Sequence, residues 1–201
     1  MIIKLIIGLL HHKNKLYLFG GFNGSEWLND FYALDLGSMY WERVEGRGTG
    51  LSPTPRFGFV AVVYEGRVVL FGGFDGRSWM KDMYEFDIGR GEWREVNPSG
   101  KVPSRRSCPS WCLYGNKVYV FGGFDGLRRM DDLYACDLDT YCWEEIVGTG
   151  EKPLPRYFHS AVVHDHRMFV FGGFNGSSRL NDLHSFNLSS RHWERVENIR
   201  C

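Results

Sequence analysis

A five-residue run, Gly-Gly-Phe-(Asn/Asp)-Gly, occurs four times in this 201-residue chain and constrains its fold more than any other feature. Successive copies lie 52, 50 and 50 residues apart, counted between their first glycines, which are Gly20, Gly72, Gly122 and Gly172. A fixed period near 50 residues is typical of an array of supersecondary units, in which no unit buries its hydrophobic faces alone. We therefore predict four copies of one structural design.

Three other residue types keep the same register. A Trp follows each first glycine by 21 residues, an Asp follows it by 10, and an Arg precedes the last three by 16. These residues are Trp41, Trp93, Trp143 and Trp193; Asp30, Asp82, Asp132 and Asp182; and Arg56, Arg106 and Arg156. A Tyr stands two residues beyond the Asp in three copies, and His184 takes that place in the fourth. The agreement excludes chance similarity between the copies.

Each copy is predicted to form four short strands. In the second copy these are residues 59–64, 68–71, 83–88 and 93–96, with the second strand ending at the Gly doublet. The first two runs are apolar at consecutive positions, which indicates a sheet covered on both faces. No helical period lasts three turns, so we expect small antiparallel sheets stacked between similar neighbours, as in a β-propeller.

The register of Gly doublet, Asp, Tyr and Trp resembles the kelch repeat over nearly the whole chain. The resemblance implies an all-β fold: one kelch-type β-propeller domain over residues 1–201, with four ~50-residue blades of four antiparallel strands each. The blades would span approximately residues 4–53, 54–103, 104–153 and 154–201. The Pro-x-Pro-Arg linker and the Phe-Gly-Gly-Phe run also resemble the kelch domains of leucine-zipper-like regulator and Rab-effector proteins.

Closure of the propeller is left open by the sequence. Copy 1 lacks the Pro-rich linker and has Lys4 at the Arg position, whereas copy 4 ends just after its Trp strand. The alternatives are a four-bladed ring and a part of a larger propeller. A part would expose the apolar faces of its end blades, which favours self-association.

Charge and cysteine content limit the classes of partner and the compartment. The 24 basic and 24 acidic residues cancel, so nothing favours nucleic acid or an anionic membrane as a partner. The five cysteines do not follow a zinc-site spacing, and we expect reduced thiols in a cytoplasmic protein, with a Cys136–Cys142 disulfide as a minor alternative.

The apolar residues 1–10 are too short to span a bilayer, and they align with the first strand of the other copies.

Most recurring residues are interpreted as framework. The glycines allow tight turns, and each Trp is expected to pack on the adjacent blade. The Asp series is expected to accept hydrogen bonds from loop amides. A recurring apolar residue is predicted to plug the loop between strands two and three; it is Leu28, Met80, Met130 or Leu180.

Two sets of residues are candidates for contacting a partner. The first occupies the loop between strands two and three, where the copies differ: Trp27, Trp79, Arg128, Arg129 and Arg179. Trp and Arg dominate binding hot spots, although the rings could equally pack on their own blades. The second follows the linker: Arg56, Phe57, Arg106, Arg156, Tyr157 and His159. The recurrence of these arginines also fits pairing with a loop carbonyl or carboxylate.

The leading hypothesis is a protein-interaction scaffold or adaptor that binds a protein partner through loops on one face. The resemblance implies such a role, including that of the substrate-recognition part of a larger kelch protein. We find no catalytic constellation, cofactor motif or metal motif, so no enzyme activity is expected. The alternatives are a small-molecule or glycan site, a galactose-oxidase-like copper enzyme, and a specifier-type iron enzyme with a Glu-x3-Asp-x3-His motif.

Overall fold

The computed structural model describes residues 8–46 and 52–197, and these residues form strands and turns without any helix. The prediction of an all-β chain is therefore confirmed. Lys4, predicted at the position of the linker arginines, and Cys201 lie outside the described residues.

The strands form four sheets, one for each copy of the repeat. Sheet 1 contains β1 (Gly8–His12), β2 (Lys15–Phe22), β3 (Trp27–Asp35) and β4 (Tyr40–Arg43). Sheet 2 contains β5 (Val60–Tyr64), β6 (Arg67–Phe74), β7 (Trp79–Asp87) and β8 (Glu92–Val96). Sheet 3 contains β9 (Ser99–Gly100), β10 (Ser110–Tyr114), β11 (Lys117–Phe124), β12 (Arg129–Asp137) and β13 (Cys142–Glu145). Sheet 4 contains β14 (Thr149–Gly150), β15 (Ser160–His164), β16 (Arg167–Phe174), β17 (Arg179–Asn187) and β18 (His192–Arg195).

The four main strands of each sheet are antiparallel and follow chain order, as predicted. Sheets 3 and 4 carry a fifth strand that the repeat pattern did not reveal. The two-residue strands β9 and β14 precede their sheets in sequence and pair in parallel with the last strands, β13 and β18. The linker is thereby attached to the outer edge of the sheet that it leads into.

The chain divides into two compact units. Unit 1 comprises residues 1–97 and 105–107, with sheets 1 and 2, and unit 2 comprises residues 98–104 and 108–201, with sheets 3 and 4. In each unit the first strands of the two sheets, β1 with β5 and β10 with β15, contact each other. The core of unit 1 contains Phe19, Phe31, Leu70 and Phe86, and that of unit 2 contains Phe121, Val170, Phe186 and Trp193.

The Gly doublet lies inside the second strand rather than at its end, which corrects the predicted boundary. In β6 the pairing with β7 shifts between Phe71 and Gly73 and then continues to Phe74, opposite Trp79. The φ angles of Gly72 and Gly73 are +71° and +104°, and a Cβ on Gly73 would lie 3.0 Å from the carbonyl oxygen of Phe57. Glycine is required because this β-bulge combines left-handed backbone with a close approach of another segment.

The linker arginine joins consecutive sheets through its backbone. The Arg56 N–H donates to the Leu28 carbonyl at 3.0 Å, and the Arg56 carbonyl accepts from the Gly21 N–H at 2.9 Å. In unit 2, Arg156 makes the same two bonds with Met130 and Gly123. Leu28, Met80 and Met130, which were predicted to plug a loop, are therefore strand residues whose carbonyls accept a hydrogen bond from the next linker.

The recurring tryptophans pack between sheets inside each unit, as predicted. The Trp93 ring lies 5.3 Å from Phe19 of sheet 1, and the Trp193 ring lies 5.2 Å from Phe121 of sheet 3. Trp41 differs, because 45% of it is exposed, against 2% of Trp193. No other sheet of unit 1 covers the Trp41 side of sheet 1 in the described residues, so the expectation of interblade packing fails there.

Candidate functional site

The linker arginines lie inside the fold, which corrects their assignment to a partner surface. Arg56, Arg106 and Arg156 are each 0% exposed. The Arg56 guanidinium donates to both carboxylate oxygens of Asp82, at 2.6 and 2.8 Å, and to the carbonyl of Gly72 at 3.0 Å. Its Nε donates to the carbonyl of Thr54 at 3.0 Å. The framework interpretation is the one that the geometry supports, because these donors are directed into the protein.

Arg156 repeats this arrangement in unit 2. It donates to Asp182 at 2.7 and 2.8 Å and to the Gly172 carbonyl at 2.9 Å. The hydrogen bonds and charge of Arg156 lower the pKa of Asp182, against an opposing effect of burial. Asp82 and Asp182 thus accept from a guanidinium, whereas the Asp series was expected to bind loop amides.

His159 is also a core residue rather than a contact residue. It is 7% exposed, and its ring lies edge-on to Phe121 at 5.4 Å. Nε2 lies 3.1 Å from the Phe121 carbonyl oxygen, so the proton must be on Nε2. Burial and, secondarily, the Arg156 charge lower the pKa of His159 to about 3. The neutral ring occupies the position that Phe59 fills in unit 1, where Phe59 packs on Phe19 at 5.5 Å.

A repeated turn presents the variable residues between the second and third strands of each sheet. The fourth residue of the five-residue run accepts hydrogen bonds from the N–H groups two and three residues further on. Asn23 binds those of Ser25 and Glu26, at 2.9 and 2.8 Å, and Asp125 binds those of Leu127 and Arg128, at 2.9 and 2.7 Å. This Asx turn fixes the loop backbone and leaves its side chains free to vary.

In unit 1 the candidate residues form an aromatic loop surface, which comprises Phe22, Trp27, Phe57, Phe74 and Trp79. Trp27 is the first residue of β3, and its ring lies 5.0 Å from Phe22 and 6.2 Å from Phe74 of sheet 2. Trp79 begins β7, packs on Phe74 at 4.4 Å, and donates from Nε1 to Ser107 Oγ at 3.1 Å. Trp27, Trp79 and Phe57 are half-buried, so these rings both support the loops and present an accessible edge.

In unit 2 the corresponding arginine loop surface comprises Phe124, Arg128, Arg129, Tyr157, Phe158 and Arg179. Arg129 begins β12, and its guanidinium lies over Phe124 at 5.2 Å. Tyr157 stacks on Phe124 at 5.2 Å and contacts Phe158 at 4.9 Å. Arg128, Arg129 and Arg179 are exposed. This surface therefore combines positive charge with aromatic rings.

Trp27 and Arg129 occupy the same structural position. A Cβ added to Gly76 of the next sheet would lie only 2.7 Å from the Trp27 ring. In the same way, a Cβ added to Gly176 would lie only 2.5 Å from the Arg129 guanidinium. Both glycines have φ near +100°. One flat polar or aromatic group thus covers a glycine of the following sheet in each unit.

An open cleft borders the arginine loop surface. It has a volume of about 510 Å³ and is lined by Tyr157, Phe158, Gly173, Phe174, Arg179 and Leu180. Phe158, which is 52% exposed, and Leu127, which is 86% exposed, were not among the residues predicted to contact a partner. The Phe of the five-residue run was treated as framework, and it also contributes to both surfaces. Its recurrence in all four copies was the available signal, but recurrence alone did not show its exposure.

The described residues contain no metal-binding cluster, and their cysteines are free thiols. Residues 8–46 and 52–197 contain no group of three or more His, Cys, Asp or Glu side chains that could hold a metal ion. The four described cysteines have free thiols, including Cys136 and Cys142. Burial raises the pKa of Cys112 and of Cys136 to about 12, which makes these two poor nucleophiles.

No helix in the described residues is long and apolar enough to cross a membrane.

Two overlapping segments of the chain, residues 7–146 and 88–200, match the model of the KLHDC2/KLHL20/DRC7 Kelch-repeats domain. Together the two matches extend over nearly the whole sequence. They agree with the repeat register and with the four sheets described above.

Curated relatives carry similar segments within much longer proteins. The leucine-zipper-like transcriptional regulator 1 homolog of Drosophila melanogaster is 30% identical over 51% of this chain and 11% of its own length. Human host cell factor 2 is 33% identical over 48% of this chain and 14% of its own length. Mouse kelch domain-containing protein 1 is 32% identical over 40% of this chain and 21% of its own length. The matched regions thus cover about a fifth or less of these relatives.

Proposed function

This chain belongs to the kelch-repeat family, and from that premise we propose that it is a protein-interaction module whose four sheets are consecutive blades of a kelch propeller. The family commonly serves protein interaction. The partner is bound through the two loop surfaces, and the framework beneath them acts as a rigid support. The number of blades in the complete ring is part of the same question, and the molar mass of the protein in solution addresses it.

One observation carries the proposal: exposed side chains differ between repeats although the buried Arg–Asp pair beneath them does not. The Arg56–Asp82 and Arg156–Asp182 pairs recur with distances that agree within 0.1 Å, from 2.6 to 2.8 Å. Above them, loops of the same backbone present Trp27 in one unit and Arg129 in the other. Folding does not require this difference, because one position accepts either group, and this supports a role of the variable side chains in binding.

The arginine loop surface defines the chemistry of the partner. Arg128 and Arg179 are exposed, and neither forms an ion pair with another residue among those that the structure describes. Arginine forks bind carboxylates in a bidentate manner, and exposed rings such as Phe158 add apolar contact. The expected ligand is a protein segment that presents acidic and apolar side chains together.

The test is affinity capture with matched charge-reversal variants. We expect Arg128→Glu with Arg179→Glu to lose the partners that the wild type captures. The control, Arg90→Glu with Lys101→Glu, makes the same change of charge at two exposed residues in the turn between β7 and β8 and after β9, and should retain them. Equal loss of partners in both variants, or equal retention, contradicts this choice of surface.

We also propose that the module is not an enzyme and acts inside the cell. The framework roles of His159, Asp82 and Asp182 and the free thiols of the described cysteines support this proposal. Metal analysis of the purified protein addresses the alternative enzymes, because stoichiometric copper or iron would favour a catalytic propeller. A rise in melting temperature with a small sugar or metabolite, without any protein partner, would favour a small-molecule site in the cleft of unit 2.

A further inference from the structure

Phe171 in β16 differs sharply in exposure from its counterparts in the other copies. Phe19, Phe71 and Phe121 are at most 2% exposed, whereas Phe171 is 54% exposed. Val162 of the neighbouring strand β15 is 60% exposed, and Val196 after β18 is 41% exposed. These three residues define the Phe171 face of sheet 4. An apolar sheet face of this kind requires a covering partner, because sheets stacked in an array bury both faces.

The covered counterparts of Phe171 show what such a partner looks like. In unit 2, Phe121 is covered by the ring of Trp193 from sheet 4 at 5.2 Å and by that of His159, the residue before β15, at 5.4 Å. In unit 1, Phe19 is covered by Trp93 from sheet 2 at 5.3 Å and by Phe59, the residue before β5. In each unit, the element that covers this phenylalanine is a kelch sheet that presents its recurring tryptophan.

Backbone groups beside Phe171 extend the comparison. Inside unit 2 the Gly123 N–H and the Met130 carbonyl bind the linker residue Arg156. Gly173 and Leu180 occupy the same positions in sheet 4, and both line the open cleft of about 510 Å³. A second cavity of about 590 Å³ is lined by Phe171, Leu183 and Val196 among others. The Phe171 face thus borders open space that an incoming sheet can occupy.

Sheet 1 presents the complementary face. Trp41 lies in β4 at the position that Trp93 and Trp193 occupy in their sheets, and it is 45% exposed. Leu9 in β1 is 55% exposed, and its pairing with Leu18 places it on the same face of the sheet as Trp41. These two residues define the Trp41 face. The chain therefore exposes one face of each type that packs together inside its units.

We propose that the Phe171 face of one copy of this chain docks on the Trp41 face of a second copy. The interface is heterologous, since two different faces meet. If two copies exchange both pairs of faces, the assembly closes as a dimer. If the geometry does not close, the copies form longer chains. In either case the apolar surface that each unit leaves open becomes buried.

The first test is the molar mass in solution, measured by light scattering over a hundredfold range of concentration. The wild type should rise reversibly from the 23.3 kDa of one chain to at least twice that mass. Phe171→Asp and Trp41→Asp should each remain at the mass of one chain. Leu127→Asp is the matched control, because it replaces an 86% exposed apolar residue outside both faces, and it should associate like the wild type.

Mixing the two variants provides the decisive test. The Phe171→Asp copy keeps an intact Trp41 face, and the Trp41→Asp copy keeps an intact Phe171 face. An equimolar mixture should therefore form a one-to-one dimer that grows no further, although each variant alone is monomeric. Val162→Asp provides a second variant of the Phe171 face, and circular dichroism verifies that each variant is folded.

Three results overturn the proposal. A wild type that stays monomeric over the whole range shows that the Phe171 face does not bind a second copy. Association that survives in both folded single variants places the contact elsewhere. Monomers in the equimolar mixture of two folded variants show that the two faces do not bind each other.

Discussion

Unit 1 and unit 2 place different side chains against equivalent glycines. The Trp27 ring covers Gly76 in unit 1, and the Arg129 guanidinium covers Gly176 in unit 2. A second pair differs in the core, where Phe59 packs on Phe19 and His159 packs on Phe121. Both exchanges preserve a flat group of similar extent. The fold therefore constrains shape at these positions, and leaves charge and hydrogen bonding to vary.

The buried ion pair shows the opposite behaviour, because it is the same in both units. Arg56 and Arg156 each bind an Asp through two oxygens and a glycine carbonyl through the same Nη1. A buried guanidinium needs several acceptors in fixed positions, and no other side chain supplies that set of donors. The comparison separates positions that need one residue type from positions that need only one shape.

Removing the shared arginine should have the largest effect and should affect the two units equally. Arg56→Ala and Arg156→Ala should each lower the free energy of unfolding by about 3–5 kcal/mol, because each leaves a carboxylate without its partner. Chemical denaturation measures the change. Arg179→Ala is the control, since that arginine is exposed, and it should change stability by about 0.5 kcal/mol or less. A loss of stability in only one of the two variants would contradict the equivalence of the two Arg–Asp pairs.

The Phe59–His159 difference should appear as a dependence of stability on pH. The unfolded chain protonates His159 near its ordinary pKa of about 6.5, whereas the folded chain does so only near 3. The unfolded state therefore binds the extra proton between these values, and stability falls as the pH falls below 6.5. From pH 7 to pH 5 this site should remove about 2 kcal/mol from the free energy of unfolding.

His159→Phe, which copies the residue of unit 1, should abolish that part of the loss. Denaturation at pH 7 and pH 5 measures it as a difference between the variant and the wild type. His164→Gln changes a histidine whose side chain is 80% exposed, and should leave the dependence as it is in the wild type. An unchanged slope in His159→Phe would contradict the burial of a neutral ring at this position.

The glycine beneath Trp27 should give the smallest effect. Ala at Gly76 must adopt a φ of +95° and approaches the Trp27 ring at 2.7 Å, whereas Ala at Gly24 has φ +98° with nothing within 4 Å. Both pay the backbone strain, so Gly76→Ala should cost about 1 kcal/mol more than Gly24→Ala. The extra cost should vanish in the Trp27→Ala background. If it persists there, the Trp27 ring does not cover this glycine in solution.

The sequence predicted the framework well because the framework recurs. Four antiparallel strands in chain order, the tight turns and the packing of Trp93 and Trp193 between sheets all followed from residues in register. The strand boundaries were less accurate, since a Gly doublet reads as the end of a strand when it is in fact a bulge within β6. The short strands β9 and β14 were missed because two residues carry no alternating pattern.

The candidate site was predicted only in part. The loop positions Trp27, Trp79, Arg128, Arg129 and Arg179 lie where variable side chains reach the surface, but whether they contact a partner stays a prediction. Arg56, Arg106, Arg156 and His159 were assigned to the same surface and are buried. The error arose because an arginine after a proline-rich linker has the same local sequence whether its side chain points outward or inward.

The sequence by itself determined that this chain is an array of four similar sheets and which residues each sheet must repeat. The tertiary structure decided which copies of those residues are covered. Phe121 and Phe171 follow nearly the same local sequence, yet one is fully buried and the other is 54% exposed. Burial depends on the next sheet along the array, which the local sequence of a repeat does not encode.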